Sequence, residues 1–334
     1  RINLKDTLPI DLFDARRAES GIRYGPKAAF LGELKRLFPA SVSRGIVLPF
    51  GLYYSHFQRC RVEIPPDIKT VVVSEEDRQL PGFVRKTYEE FFQKMIPSGK
   101  SEQELAEWIK PRLRIIQQSI ISTPLDLELR ESLRSEFRRQ GLFLGKHEEE
   151  TTGCFVRSDT NVEDLDEFNG AGLNKTLFNL SSFRGILDGI KEVWASPFSY
   201  RSFSWRQTMI DEPFWVLPSV VILESVPSEK SGVLITSDPQ SGNSQDMFVV
   251  TSEGVGGAVD GSAAETLLWT PEGVRFITQF KSPWRRVLDS KGGSRIVPST
   301  GSQEVLTSQD LDILIDAAKT IVNRLEPSID AWGK

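Results

Sequence analysis

The chain has 334 residues and a mass of 37.6 kDa, enough for about two domains of ~150 residues each. Its hydrophobic fraction of 39% and charged fraction of 26% are typical of a globular protein and exclude a disordered or fibrous chain. The 41 basic and 46 acidic residues give a net charge of −5, so no surplus of Lys and Arg marks nucleic acid as a partner. Cys60 and Cys154 are the only cysteines, which excludes a disulfide framework and favours a reducing, cytoplasmic setting.

The apolar segments are too short for a membrane protein. No run reaches the ~20 apolar residues that a membrane helix needs, so we expect no membrane association. The first residues include neither an initiator Met nor the apolar core of a signal peptide. The chain stops at Trp332-Gly333-Lys334 without an evident structural signal. We therefore expect neighbouring segments on one or both sides of this sequence.

The first half of the chain has mainly helical periodicity. Apolar residues at helical spacing predict a helix over residues 26–38, and a short apolar run at 46–48 predicts a buried strand. Residues 75–140 are helical in pattern, with a break or kink expected at Pro111 and a stop at residues 122–124.

The second half mixes strands with helices after a charged stretch at residues 147–152, which we take as a domain boundary. Residues 154–156 predict a strand followed by a polar, glycine-bearing loop, and 267–278 predict a hairpin. Further helices are predicted over 183–194, 198–209 and 308–325, and further strands over 215–223, 232–236 and 247–251. Hairpins together with crossovers predict an α+β fold.

The polar loop predicted after the strand at residues 154–156 offers the strongest chemical signal. Arg157 could hold a phosphate with its planar fork of donors, and Gly170 and Gly172 would let backbone N–H groups approach an anion. The alternative is an ordinary solvated loop in which Arg157 pairs with Glu163 or Asp164.

Two other glycine-bearing segments have weaker signals. Lys27 follows Gly25-Pro26 at a helix start, where the helix dipole favours an anion and a phosphate could bind; the alternative is a surface lysine. The segment lacks the Walker pattern. Residues 253–257, Glu-Gly-Val-Gly-Gly, permit close ligand approach or a tight turn, and the turn is the simpler interpretation.

Taken in order, these segments resemble the nucleotide-binding domain of the phosphoenolpyruvate synthase and pyruvate phosphate dikinase family. The residues that match its Val-Arg-Ser-Ser-x-x-x-Glu-Asp signature and the later Ala-Gly-x-x-x-Thr-x-x-Asn are Val156, Arg157, Ser158, Asp159, Glu163, Asp164, Ala171, Gly172, Thr176 and Asn179. Residues 24–34 are similar to the amino-terminal Gly-Gly-Lys-x-x-x-Leu-Gly-Glu-Met motif, and residues 231–236 and 254–256 match two further landmarks. Arg-Ser-Asp-Thr-Asn at residues 157–161 resembles the α-glucan water dikinase branch.

The resemblance implies an ATP-grasp-like fold with two subdomains around a nucleotide cleft. They would be residues 1–150, with a helical insert at about 75–140, and residues 151–334, shortened at the carboxyl end. The cofactors implied are ATP and Mg²⁺, with no metal ligand assigned. By this resemblance Arg157 is the catalytic residue, and the ATP-binding residues are Lys27, Arg157, Ser158, Gly170, Gly172 and Thr176.

The sequence departs from the family pattern at several points. Val221 stands where many relatives have a Gln, and Gly257 stands where they have a Glu. The chain also ends just before the Asp-Ile-Glu and Gln-x-Arg-Pro segments that supply metal and phosphate ligands in relatives. Neither His56 nor His147 lies in the Thr-x-His-like setting of a phosphate-carrying histidine.

We therefore predict an ATP-binding fragment of a dikinase-like phosphotransferase. In the parent protein it would bind Mg-ATP and phosphorylate a carrier histidine on another domain, with a substrate domain as a further partner. One alternative is a dikinase that phosphorylates a glucan or antibiotic hydroxyl. Another is a degenerate nucleotide-binding or regulatory module, which the changes at Val221 and Gly257 keep open.

Overall fold

The computed structural model describes residues 2–162, 175–207, 216–257, 264–302 and 304–325. The chain divides into two compact units, Arg1–Ser225 and Val226–Lys334. The sequence boundary at 150/151 lies inside the first unit, at the start of one of its strands, and as a division between ATP-binding subdomains it stays a prediction.

The first unit combines seven α-helices with six strands in its described part. They are, in chain order, β1 (Ile10–Asp11), α1 (Pro26–Leu37), β2 (Gly45–Leu48), α2 (Phe50–Arg59), α3 (Leu80–Glu90), α4 (Glu102–Ser122), α5 (Leu127–Arg139), β3 (Phe143–Leu144), β4 (Glu150–Thr160), β5 (Thr176–Ser182), α6 (Phe183–Ala195), α7 (Tyr200–Gln207) and β6 (Pro218–Glu224). The predicted helices at 26–38 and 183–194 and the helical nature of 75–140 are confirmed.

The six strands form one antiparallel sheet in the order β1-β2-β6-β4-β3, with β5 paired to β4. One row of partners crosses the sheet from Val47 to Val221, then to Arg157 and Thr176. Because side chains alternate between the two faces of a strand, all four residues of this row project from the same face.

The two faces of the sheet are packed differently. One face, which includes Val156, Val220 and Ile222, belongs to the large apolar core formed with α2–α6. The other face contributes Val47 and Val221 to a smaller cluster with residues at the start of α1. Helix α1 therefore lies on the same face as Arg157.

Helix α4 corrects one prediction from the sequence. It is continuous from Glu102 to Ser122, although Pro111 lies inside it, so a break at this proline is wrong, while a kink there stays a prediction. A capping box between Ser101 and Glu104 starts the helix. Apolar residues on both sides of Pro111 are buried in the large core, and this packing compensates for the missing backbone hydrogen bond.

The second unit contains a four-stranded antiparallel sheet, a separate hairpin and one helix in its described part. The elements are β7 (Lys230–Ile235), β8 (Met247–Glu253), β9 (Glu265–Thr270), β10 (Gly273–Thr278), β11 (Trp284–Leu288), β12 (Ser294–Pro298) and α8 (Ser308–Leu325). The sheet order is β10-β9-β8-β7, and the predicted β9–β10 hairpin and the helix over 308–325 are confirmed. Among the helices of the described residues, none has the length and apolarity required to cross a membrane.

Candidate functional site

Arg157 lies within a strand, and the prediction that it enters a loop is wrong. Strand β4 continues to Thr160, and Arg157 is paired with Val221 of β6 and Thr176 of β5. The polar residues after Val156 suggested a loop, but they take part in the ladder to β6. The structure thus places two predicted site residues, Arg157 and Thr176, side by side on one face of the sheet.

Asp159 connects this strand to helix α1. Its side chain is completely buried, and its carboxylate accepts hydrogen bonds from the backbone N–H groups of Lys27 (2.9 Å) and Ala28 (3.1 Å). The hydroxyl of Ser219 lies 3.0 Å from Oδ2 of Asp159 and 2.6 Å from its backbone carbonyl. The same hydroxyl accepts a hydrogen bond of 3.1 Å from the Gly25 N–H. A carboxylate from β4 therefore caps the start of α1.

The residue before the helix must be small for this contact to form. A Cβ atom on Gly25 would lie 2.6 Å from Cγ of Asp159 and 2.7 Å from the carbonyl oxygen of Thr160. Gly25 gives no side-chain cap of its own, and Pro26, which lacks an N–H group, occupies the first turn. Gly25 is thus required for close approach to Asp159.

The occupied helix start corrects the prediction that the dipole of α1 would hold a phosphate. The Lys27 and Ala28 N–H groups that would bind such an anion already donate to Asp159, so the anion at this helix end belongs to the chain itself. Lys27 also carries an ammonium group, which acts electrostatically on Asp159. The backbone N–H of Lys27 is held by Asp159, which lies two residues from Arg157 in β4.

Both predicted cations act electrostatically on Asp159. Burial raises the pKa of Asp159, while the two N–H groups, the ammonium of Lys27 and the hydroxyl of Ser219 oppose that rise. Burial lowers the pKa of Arg157, and the charge of Asp159 opposes this shift. Arg157 still remains protonated at neutral pH. The site therefore combines two cations with one buried carboxylate, a suitable setting for a polyanionic ligand.

Ser158 faces away from these groups. It follows Arg157 directly in β4, so its side chain projects from the opposite face of the sheet, where Val156 and Val220 lie. It is 5% exposed, and its backbone N–H donates to the carbonyl of Lys175 (3.3 Å). The structure thus brings together Lys27, Arg157 and Thr176 but not the side chain of Ser158.

The motif and site residues Glu163, Asp164, Gly170, Ala171 and Gly172 lie outside the described residues. The approach of backbone N–H groups at Gly170 and Gly172 to an anion, and the alternative pairing of Arg157 with Glu163 or Asp164, stay predictions.

Val221 and Gly257, the two departures from the family pattern, have structural explanations. Val221 is completely buried in the cluster beneath α1, so its side chain is a packing contact. Gly257 follows a turn in which Gly254 and Gly256 have φ angles of +76° and +77°. The intervening Val255 donates its N–H to the carbonyl of Arg286 (2.8 Å). This glycine segment bends the chain at the end of β8 and hydrogen-bonds to β11, which fits the simpler interpretation of residues 253–257 as a turn.

The two histidines have different surroundings. His56 is 2% exposed in α2, where its Nε2 lies 3.0 Å from the carbonyl of Ile120 and its ring packs against Trp194. Burial lowers the pKa of His56 to about 4. His147 is exposed. Within the part of the chain that the structure describes, no cluster of three or more His, Cys, Asp and Glu residues could hold a metal ion.

Sequence reasoning missed the roles of Asp159, Ser219 and Gly25. The contacts join residues 25–28 to 159 and 219, and no local pattern indicates such a long-range arrangement. The available signal was Asp159 itself, which occupies the position of the second Ser in the Val-Arg-Ser-Ser signature.

Comparison with known proteins identifies the family of this chain. The family model of the pyruvate phosphate dikinase AMP/ATP-binding domain matches residues 24–330. The chain therefore belongs to this family, a class of ATP-binding domains found in phosphotransferases.

Individual relatives are phosphoenolpyruvate synthases. The chain is 28% identical to phosphoenolpyruvate synthase from Aeropyrum pernix over 201 residues, covering 58% of this chain and 23% of the relative. It is 26% identical over 272 residues to a probable phosphoenolpyruvate synthase from Pyrococcus horikoshii, covering 75% and 30%. The Escherichia coli phosphoenolpyruvate synthase is 30% identical over 143 residues, covering 42% and 17%. The matches thus span less than a third of the length of each relative.

Proposed function

We propose that this chain binds Mg-ATP as the nucleotide-binding part of a larger phosphotransferase. Membership of the AMP/ATP-binding domain family supports nucleotide binding. The much greater length of the phosphoenolpyruvate synthases supports the presence of further domains in the whole protein. In that protein, a phosphoryl group from ATP would pass to a carrier histidine on a separate domain, and a third domain would bind the final acceptor.

The observation that supports the ATP site most directly is the shared anchor of its two cations. Asp159 binds the backbone at Lys27 and lies two residues from Arg157 on the same face of β4. Lysine and arginine in fixed positions stabilise phosphate charge, and phosphoryl transfer depends on such positioning. Lys27 and Arg157 would therefore contact the phosphates, with Arg157 acting on the transferring group.

The other proposed contacts surround this pair. Thr176 is the cross-strand partner of Arg157, and Gly170 and Gly172 would offer backbone N–H groups from the segment between β4 and β5. Ser158 would contribute only by holding Arg157 in place in β4, because its side chain projects from the far face of the sheet. Mg²⁺ would neutralise phosphate charge when ATP is bound; we assign no protein ligand to it. Cys60 and Cys154, both buried and unpaired, support a reducing, cytoplasmic location.

Calorimetry with Mg-ATP on the full-length protein tests the site. Arg157→Ala should weaken ATP binding about 10- to 100-fold, because a charged hydrogen-bonding partner is lost. Arg201→Ala is the matched control, because Arg201 is exposed on α7 and its substitution removes the same charge. Equal affinity in wild type and Arg157→Ala would exclude Arg157 from the phosphate site.

Labelled ATP tests the group transfer. With β-labelled and γ-labelled ATP, a dikinase should retain the β-phosphate on a histidine of the full-length protein. If label passes directly to a glucan or antibiotic hydroxyl without a phosphohistidine, the carrier step is wrong. If ATP binds and no label is retained or transferred, the chain is a binding or regulatory module.

A further inference from the structure

A second charged site lies on the side of the sheet opposite Arg157. Helices α5 and α6 enclose a surface cavity of about 520 Å³, here named the α5–α6 cavity. Its lining includes apolar side chains from Leu125, Phe183 and Leu187, of which Leu125 and Phe183 are buried. The volume is in the range of small-molecule sites, which are about 300–1,000 Å³.

Four cationic side chains also line this cavity. Arg130 and Arg134 lie one turn apart on α5, and Arg184 and Lys191 lie on α6. Arg184 is in the first turn of α6, where the helix dipole adds positive potential. Cations therefore approach the cavity from two helices.

Two of these charges are balanced within the chain and two are not. Arg134 pairs with Glu148 (3.6 Å) and its guanidinium lies 4.6 Å from the ring centre of Phe183, while Lys191 pairs with Asp188 (3.1 Å). Arg130 and Arg184 form no ion pair with any of the described residues. The remaining carboxylate in the lining is Glu149. The cavity thus has an excess of positive charge beside an apolar surface.

This combination specifies the chemistry of a ligand. Guanidinium groups remain charged at all physiological pH values and match the oxygen geometry of phosphate. The apolar side chains offer no hydrogen bond and favour a part of the ligand that carries carbon and hydrogen. A free inorganic anion would use only the cations, whereas a phosphate ester would use both.

We propose that the α5–α6 cavity binds a small molecule bearing a phosphate group next to an apolar part. Arg130 and Arg184 hold the phosphate, and Leu187 and Pro124, whose side chains are at least partly exposed in the lining, contact the apolar part. This site is separate from Lys27 and Arg157, because it lies on the other face of the sheet and shares no residue with them.

Hydrogen–deuterium exchange with the 334-residue chain locates such binding. Phenyl phosphate and inorganic phosphate serve as probes, and peptides covering Leu127–Arg139 and Phe183–Ala195 report on the cavity. Phenyl phosphate should protect both peptides and bind at least threefold more tightly than inorganic phosphate, because only the ester contacts the apolar side chains. Equal affinities would assign the site to free phosphate. No protection by either probe would overturn the proposal.

Paired variants decide whether the two unbalanced arginines form the site. Arg130→Ala with Arg184→Ala should weaken phenyl phosphate binding at least tenfold and abolish the local protection. Arg85→Ala with Arg201→Ala removes the same charge from exposed positions outside the cavity and should leave binding unchanged. Glu149→Gln should tighten binding about twofold by removing a like charge. Equal losses in the two double variants would overturn the site, since general electrostatic attraction would then explain the binding.

Discussion

The two faces of the six-stranded sheet differ in composition although the same strands build both. On one face, Val156 and Ile222 join a large apolar core with α2–α6. On the other, α1 packs on Val47 and Val221, and the charged residues Arg157 and Asp159 lie beside them. Strand β4 supplies both faces by simple alternation. The comparison shows how a stable core and a polar site can share one strand.

Removing the buried carboxylate of the α1 face should have the largest effect. Asp159→Ala leaves the N–H groups of Lys27 and Ala28 without their acceptor in a buried place. We expect a loss of about 3–5 kcal/mol in the free energy of unfolding, as for other buried charged networks that lose one partner. Urea unfolding measures the loss.

Asp159→Asn is the control for this variant, because the amide keeps the shape and one acceptor oxygen. It should lose less stability than Asp159→Ala. If the free energies of unfolding of both variants lie within 1 kcal/mol of the wild type, Asp159 does not anchor α1. The buried hydrogen bonds of the α1 face would then contribute little to stability.

The apolar face should have a pH dependence of its own through His56. Burial lowers the pKa of His56 to about 4, against an ordinary value of 6.5. A lowered folded-state pKa means that the unfolded chain takes up the proton first. The contribution of neutral, buried His56 to the free energy of unfolding is complete above pH 6.5 and is lost as pH falls from 6.5 towards 4. It amounts to about 3 kcal/mol, from a pKa difference of about 2.5 and 1.36 kcal/mol for each pKa unit.

The measurement compares unfolding free energies of wild type and His56→Gln between pH 7 and pH 4. Carboxylates titrate in the same range, so the relevant quantity is the difference between the two proteins at each pH. His147→Gln, at an exposed position, should follow the wild type. A wild-type curve parallel to that of His56→Gln would show that His56 accepts a proton in the folded state.

A smaller loss of stability should follow from adding a side-chain atom at Gly25, where α1 and β4 are in close contact. In Gly25→Ala the new Cβ would overlap the Asp159 carboxylate and the backbone of Thr160, so one of them must shift. Overpacking of this kind costs about 1–3 kcal/mol. Gly82→Ala is a matched control, because no atom lies within 4 Å of a Cβ there and alanine favours the α3 helix. It should equal or exceed the stability of the wild type. If Gly25→Ala has the same free energy of unfolding as the wild type, the contact between Asp159 and α1 can accommodate a methyl group.

Local periodicity explains why much of this fold could be predicted. Helices α1, α6 and α8 and the β9–β10 hairpin have clear apolar spacing and end signals, so their positions follow from neighbouring residues. The break expected at Pro111 does not occur, because packing of the helix against the core opposes the local effect of the proline. That packing involves residues far from Pro111 in sequence, so the local sequence does not reveal it.

The site was less predictable because its decisive contacts join distant segments. The resemblance predicts roles for Lys27 and Arg157, but the capping of α1 by Asp159 requires three segments to meet. The polarity of residues 158–160 also favoured a loop, since pairing with β6 satisfies their backbone in a way that the local sequence does not reveal.

Ser158→Ala should produce the smallest effect and gives the sharpest comparison of the two faces. Ser158 and Arg157 are neighbours in sequence and both match the family signature. Their side chains nevertheless project from opposite faces of β4. If the phosphate site lies on the α1 face, Ser158→Ala should change ATP affinity less than twofold, while Arg157→Ala reduces it at least tenfold. Stability should fall by no more than about 1 kcal/mol, the usual value of one hydrogen bond. Calorimetry on both variants decides the question: a tenfold loss of affinity in Ser158→Ala would place its hydroxyl at the nucleotide and remove the distinction between the faces.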